Sequence, residues 1–278
     1  MIEFFSIMTL PLIACVLLTA IYSYLGLHVI EREVIFVDLA IAQIAILGGS
    51  IGLLWGFDMD SAMSYRLSLG FALLGAGIFS LTRSRKQKIP QEAIIGITYA
   101  VSAALLIMVL SSSGEGDQHI RQALVGNILL VNPSTLWKLL IVSIIVGFVH
   151  FIFRKQLFLI SKDPEEAYRR GIKVKWWDFL FYASFGFVVT SSVKLAGVLL
   201  VFSYLVVPAV SATIFTSNTT KKLILAWSVG LLASLLGMVI SYFYDFPTGA
   251  SVVSAFGAVL LVLSIIKALN TFFTASKY

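Results

Sequence analysis

The chain of 278 residues is 59% apolar and 12% charged, with a mean hydropathy of +0.97 and a formal net charge of +6. Soluble domains hold about 45–50% apolar and about 25% charged residues, so a water-exposed globule is excluded and a polytopic membrane protein is indicated. The cations fall in short gaps between apolar runs, not on an aromatic-interleaved face, which argues against nucleic-acid binding.

A helix needs about 20 mainly apolar residues to cross the hydrocarbon core. By that rule spans are expected near 4–26, 34–56, 64–82, 91–111, 134–153, 177–193, 196–216, 223–244 and 250–269. No run shows the period-two alternation of a membrane barrel, so the fold is all-α. The 177–193 run is short and is interrupted by Lys194 and Gly197, which makes the count nine, with eight as the alternative. Met1 to Phe5 carry Glu3 and no cation, and no small-residue cleavage site follows. The first run is therefore expected to remain in the mature protein. Its single Cys15 can form no intrachain disulfide.

The second run carries Asp38 and Gln43. Ionisable residues inside a span are costly and are functional candidates by default. Five residues advance a helix by roughly 500°, about 140° net, so these two side chains diverge. Asp38 has a second reading, an interfacial pair with Arg32. Gly48, Gly52 and Gly56 recur on one face of the same run, a spacing that lets backbones approach closely. The partner is either a neighbouring span of the same chain or a second copy. Glu92 and Lys194 lie at span ends, within snorkelling reach of headgroups.

Between the fourth and fifth runs, Ser112 to His119 reads as an acidic loop. Ile120 to Val131 is too short to span and reads as re-entrant or interfacial. His28, His119 and His150 are far apart in sequence, and His150, near a span end, reads as snorkelling or capping.

The longest polar stretch is SKDPEEAYRRGIKVKWW, Ser161 to Trp177. Asp163 suits an N-cap, Pro164 the first helical position, and Glu165 and Glu166 the positive helix end. Gly171 ends the helix after about two turns. So short a helix is not stable alone in water, so it must dock, either on its own chain or on a cytoplasmic partner. Pro208, inside the seventh run, frees backbone groups and predicts a kink or gate. DFPTGAS, Asp245 to Ser251, is a tight turn explained by Pro247 and Gly249.

With nine spans and the N-terminus outside, Arg32, Arg83, Arg85, Arg154, Lys155, Lys162, Arg169, Arg170, Lys173, Lys175, Lys221, Lys222 and Lys267 all fall on the cytoplasmic side. That bias orients the chain with a cytoplasmic C-terminus. There is no GxxxxGK[ST], no HExxH and no paired-cysteine motif, so catalysis within this chain is not expected.

Five segments in order resemble the permease subunits of zinc, manganese and iron ABC importers. REVIFVDLAIAQIAILGGSIG, Arg32 to Gly52, is similar to that family's RR…GDALAHA…G segment. LVGNILLV, Leu124 to Val131, resembles its FGDILAV-like re-entrant stretch. DPEEAYRRGI, Asp163 to Ile172, is similar to its DP-x-x-A-x-x-x-G coupling helix. AGVLLVFSYLVVPAVSATIF, Ala196 to Phe215, resembles VGALLV…LLVIPAATA, and YDFPTGASVV, Tyr244 to Val253, its (F/Y)D-x-P-(S/T)-G-P turn.

The resemblance implies one permease domain over 1–278 with a type II ABC importer-like fold and a coupling helix at about 163–171. Asp163, Pro164, Glu165, Glu166, Ala167, Arg169 and Gly171 are then its ATPase-coupling residues. It also implies a multi-pass location in the inner (plasma) membrane and a dimer, with a second permease copy in a homodimer or with a similar chain as the alternative. A separate ATPase subunit would use ATP, an extracytoplasmic binding protein would deliver cargo, and this chain would bind no cofactor. The departure lies in the metal contacts. Where the family has Asp and His one turn apart, this chain aligns Leu39 and Gln43, and Asn127 stands where relatives usually have Asp. Leucine donates nothing to a metal and an amide oxygen is a poor zinc ligand. Asp38, Gln43 and Asn127 are the candidate pathway residues, and the metal is left unassigned. A metal chelate or other small solute is the alternative cargo. A secondary transporter, which needs paired ionisable groups at mid-membrane, is a more distant reading.

Overall fold

The computed structural model describes residues 2–59, 61–83, 85, 89–111 and 123–275, with side chains from residue 7 to residue 274. The acidic loop with His119 therefore lies outside the described residues. Among the described residues the α-helices with full bounds follow in chain order: α1 Ile2–Glu31, α2 Val37–Leu54, α3 Ala62–Thr82, α4 Gln91–Ser111, α5 Pro133–Ile152, α6 Arg154–Lys162, α7 Pro164–Arg169, α8 Val174–Phe215, α9 Thr219–Tyr244 and α10 Thr248–Ala275. A 3-10 turn, Ile128–Leu130, precedes α5. Several helices start where a short polar side chain can accept a free backbone N–H. Ser61 accepts from Ser64 N, Asn132 from Thr135 N (with Pro133 next), and Asn218 from Lys221 N.

Eight of these helices are long and apolar enough to cross a membrane, but α8 is not one rod. It has 42 residues, and Gly197 in its middle holds φ +74° and ψ 161°, outside helical space. Its two legs both lie along α1. Arg32 pairs with Asp178 from the first leg at 2.6 Å, while Gly26 lies against Leu205 and Ala209 from the second. In a continuous helix positions 178 and 209 would stand about 46 Å apart, whereas 26 and 32 are about 9 Å apart along α1. The chain therefore reverses at Gly197. Among the described residues it makes nine passes, which puts its two ends on opposite faces. The non-helical residue inside α8 is Gly197; Pro208, where a kink or gate is expected from the sequence, is buried within the second leg. Lys194 does not interrupt the first leg, because its Nζ donates to the Met59 carbonyl.

The reversal needs two glycines. Gly126, at φ +65°, abuts Ala196 and Gly197, and a methyl group on either glycine would collide with the other's backbone. Asn127 N then donates to the Leu195 carbonyl at 3.2 Å. The short 123–130 segment is thus held against the apex of α8, and Gly249 approaches its Val125 carbonyl.

Helix α2 is central: 78% of it is buried, against 22% of an 18-residue stretch in each of α4, α5 and α10. Gly48 faces Phe71 and the Leu67 carbonyl, Gly49 faces Ser68, and Gly52 faces Ser64. The small-residue stripe is therefore occupied within the chain by α3. Gly56 does not join it. It lies beyond the end of α2 at φ +81° with open space around it, so it is a turn residue. Tyr22, Tyr182, Tyr204, Phe79, Phe181, Phe185 and Phe256 fill the interior. Exposed apolar groups such as Phe148, Phe151, Leu130 and Phe243 suit a lipid environment.

Candidate functional site

The α7 face of the molecule is built from chain-local rules. Asp163 caps α7 by accepting from Glu166 N at 2.9 Å, Pro164 opens it, and Gly171 leaves it at φ +71°. Below it Ile160, Ala167 and Val174 form a small core with Leu159, Tyr168, Ile172 and Trp177. The helix is thereby fastened to its own chain through Ala167, while Glu165, Arg169 and Arg170 stay exposed. Glu166 receives Arg170 at 2.8 Å and Arg169 at 3.4 Å. Glu165 is held by Arg85, from beyond α3, at 3.1 Å, with the Arg85 guanidinium over the Tyr168 ring. Partial burial raises the Tyr168 phenol above its ordinary pKa, so it stays neutral.

Beneath this helix lies a buried charged cluster. Asp178, in the first turns of α8, binds Arg32 through Oδ1 at 2.6 Å and Arg83 through Oδ2 at 3.1 Å. The Arg32 and Asp178 side chains are 0% exposed. Arg32 Nε also donates to Ser161 Oγ of α6 at 2.8 Å, and its guanidinium lies 4.1 Å from the Phe181 ring centroid. Arg32 thus pairs with Asp178 and not with Asp38 as the sequence had suggested. Lys222 takes Glu31 at 2.7 Å, which leaves two guanidinium groups on one carboxylate.

A second polar chain runs on from Ser161. Its Oγ lies 2.8 Å from the Leu157 carbonyl oxygen and 2.8 Å from His28 Nδ1, so the His28 tautomer and the direction of the hydroxyl proton are tied together. His28 Nε2 and His150 Nδ1 meet on the Tyr24 hydroxyl at 3.1 and 3.3 Å, and His150 Nε2 reaches Ser184 Oγ at 2.8 Å. His150, 1% exposed, does not snorkel. Glu92 likewise serves the protein: its Oε1 accepts from Phe36 N at 2.9 Å.

The three pathway candidates are not brought together. Asp38 sits in the first turn of α2, 0% exposed, with no hydrogen bond to either carboxylate oxygen among the described residues. The Tyr22 hydroxyl, bonded to Ser192, lies within its electrostatic reach. Gln43 is buried too, with its Oε1 unpartnered. Asn127 is exposed and belongs to the apex of α8, at the opposite end of the molecule. Among the described residues no three His, Cys, Asp or Glu side chains gather as metal ligands. Sequence reasoning missed Asp178 and Arg83. The only available signal was an aspartate one turn inside an apolar helix, the same signal that singled out Asp38.

A profile of the ABC 3 transport family matches residues 4–268. A manganese transport system membrane protein, MntC, of Listeria monocytogenes is 28% identical over 69% of this chain and 70% of its own length. The manganese import system permease protein ScaB of Streptococcus gordonii is 27% identical over 90% and 88%. Among solved structures, a chain of PsaBC from Streptococcus pneumoniae in complex with Fab superposes with a TM-score of 0.78, at 24% identity and covering 95% of each chain.

Proposed function

The chain belongs to the ABC 3 transport family, and on that premise we propose that it is the membrane permease subunit of an ATP-binding cassette importer of divalent transition-metal ions. Manganese is the ion named for its MntC and ScaB relatives, and it is the cargo to test first, with iron and zinc beside it. The single permease domain works as one of two copies in the plasma membrane, with the α7 face and the C-terminus in the cytoplasm. The cation bias of the connecting segments supports that orientation. An extracytoplasmic binding protein presents cargo at the other face, and hydrolysis of ATP belongs to a separate cytoplasmic subunit.

The observation that carries this reading is α7 itself. It is a capped, acid-rich helix of six residues, anchored from beneath by Ala167 and offering Glu165, Arg169 and Arg170 outward. A helix this short gains its stability from packing, so its exposed side is free to enter a partner's cleft while its buried side transmits the contact. The mechanism then needs no chemistry in this chain. Motion of the ATPase displaces α7, and the spans convert that displacement into inward or outward exposure of the pathway. Asp38 is the carboxylate we assign to that pathway.

The test is co-purification with the ATPase subunit after Glu165, Glu166 and Arg169 are changed together to alanine. The complex is expected to fall at least tenfold in yield while the permease stays monodisperse. Undiminished complex removes α7 as the docking helix. The second reading, a metal chelate as cargo, draws on Leu39 and Gln43, neither of which suits a naked ion. Uptake of chelated metal with no uptake of the free ions would establish it.

A further inference from the structure

We infer that the buried Arg32–Asp178–Arg83 cluster is the joint that carries displacement of α7 into α1, α2 and α3, with Asp178 and Arg32 as positioning residues for coupled transport. The inference rests on the reading of α7 as the ATPase-docking helix and deepens it by naming what lies between α7 and the pathway.

Helix α7 hangs between two arms. Only Asp163 separates it from α6, and a tight turn, with Ile172 N on the Ala167 carbonyl and Val174 N on the Ile172 carbonyl, joins it to α8. The small core of Ile160, Ala167 and Val174 binds all three pieces into one body. Each arm contributes one group to the cluster: Ser161 from α6 and Asp178 from α8. On the receiving side Arg32 immediately follows α1 and leads through a four-residue turn into α2, while Arg83 caps the end of α3. Helices α2 and α3 are already locked together by the glycine seam at Gly48 and Gly52. The cluster therefore grips the α2–α3 pair at the end nearest α7, and Asp38 follows Arg32 by only six residues in the chain.

The type of contact matters. Apolar surfaces attract without direction and can slide past one another, whereas a charge-assisted hydrogen bond fixes both length and angle. Elsewhere the α7 body meets the rest of the chain through apolar packing, as at Trp177 against Phe153, and through polar contacts that are mostly exposed to solvent, such as Glu165 with Arg85, Lys175 Nζ with the Leu81 carbonyl and Lys162 Nζ with Thr219 Oγ1. Apolar contacts slip under a displacement along the membrane face and exposed pairs exchange with water, but the buried Arg32–Asp178 hydrogen bond is pulled directly, with Arg83 held to the same carboxylate as an ion pair. The cluster is also incompletely satisfied: Arg32 Nη2 has no acceptor among the described residues, and two guanidinium groups share one carboxylate. A joint chosen for stability alone gains little from such an arrangement, because desolvation offsets the attraction.

The test uses the whole complex, permease with its ATPase and binding protein, in proteoliposomes. Manganese(II), iron(II) and zinc(II) are each offered, and uptake and ATP hydrolysis are read in the same samples. Asp178→Asn is expected to hold hydrolysis within twofold of the wild type while uptake falls at least tenfold, so that ions moved per ATP fall at least fivefold. Asp178→Glu, which keeps the charge, is expected to recover at least half of the wild-type ratio. Ser161→Ala leaves both ion pairs in place and is expected to lower the ratio two- to threefold; it decides the matter if Asp178→Asn does not fold. An unchanged ratio in these variants, or uptake and hydrolysis falling in equal proportion, overturns the joint. Failure of the docking reading shows elsewhere, as complex formation indifferent to α7.

Discussion

Asp38 and Asp178 are both aspartates near the start of a helix, and both are fully buried, yet they have opposite surroundings. Asp178 meets two guanidinium groups, and Asp38 meets no donor among the described residues. A buried carboxylate without a partner is costly, of the order of several kcal/mol if charged, so its removal is not expected to weaken the fold. Asp38→Asn should leave the thermal midpoint of the purified permease unchanged or higher, while metal uptake falls at least tenfold. Full uptake by that variant would remove Asp38 from the pathway. The same substitution at Asp178 leaves two buried cations unmatched and should lower the midpoint by several degrees, which is why its transport test carries Ser161→Ala beside it.

Helices α2 and α3 show how an element is placed by what it lacks. A side chain at Gly48 would meet Phe71 at 2.7 Å and the Leu67 backbone carbonyl at 2.8 Å, and one at Gly52 would meet Ser64 Oγ at 2.8 Å. Gly48→Leu therefore overfills the seam and is expected to cost about 1–3 kcal/mol, seen as a lower unfolding midpoint of the detergent-solubilised protein. If Gly48→Leu instead keeps its midpoint and dissociates a dimer, the stripe belongs between copies. The spacing of these glycines was plain in the sequence, but its partner was not, because a Gly-rich face offers the same close approach to any helix. Helix α7 was legible for the opposite reason. Its cap, its proline, its acids and its terminal glycine are all local, and local rules survive folding.

For the molecule as a whole, the reversal at Gly197 decides the topology. It turns eight apolar helices into nine passes and sets the two chain ends on opposite faces. The native Cys15 is buried, so single-cysteine labelling starts from a quiet background. In intact cells, a membrane-impermeant maleimide should label Asp58→Cys, in the α2–α3 turn, and spare Ser217→Cys, in the α8–α9 turn on the α7 face. Opening the cells should expose the second. Labelling of both from outside would break the nine-pass arrangement.

Composition alone determined the solvent: with 59% apolar residues the chain has no way to hide its surface from water. Run length and cation placement then determined the spans and their expected direction, since both follow from one-dimensional rules of hydrophobic thickness and charge. Which polar groups meet was decided only in three dimensions. Arg32 and Asp178 are separated by 146 positions and His28 and Ser161 by 133, and such pairs leave no periodicity to read. The same holds for Gly126 and Gly197, each ordinary by itself, which become indispensable only where one backbone crosses another too closely for a Cβ.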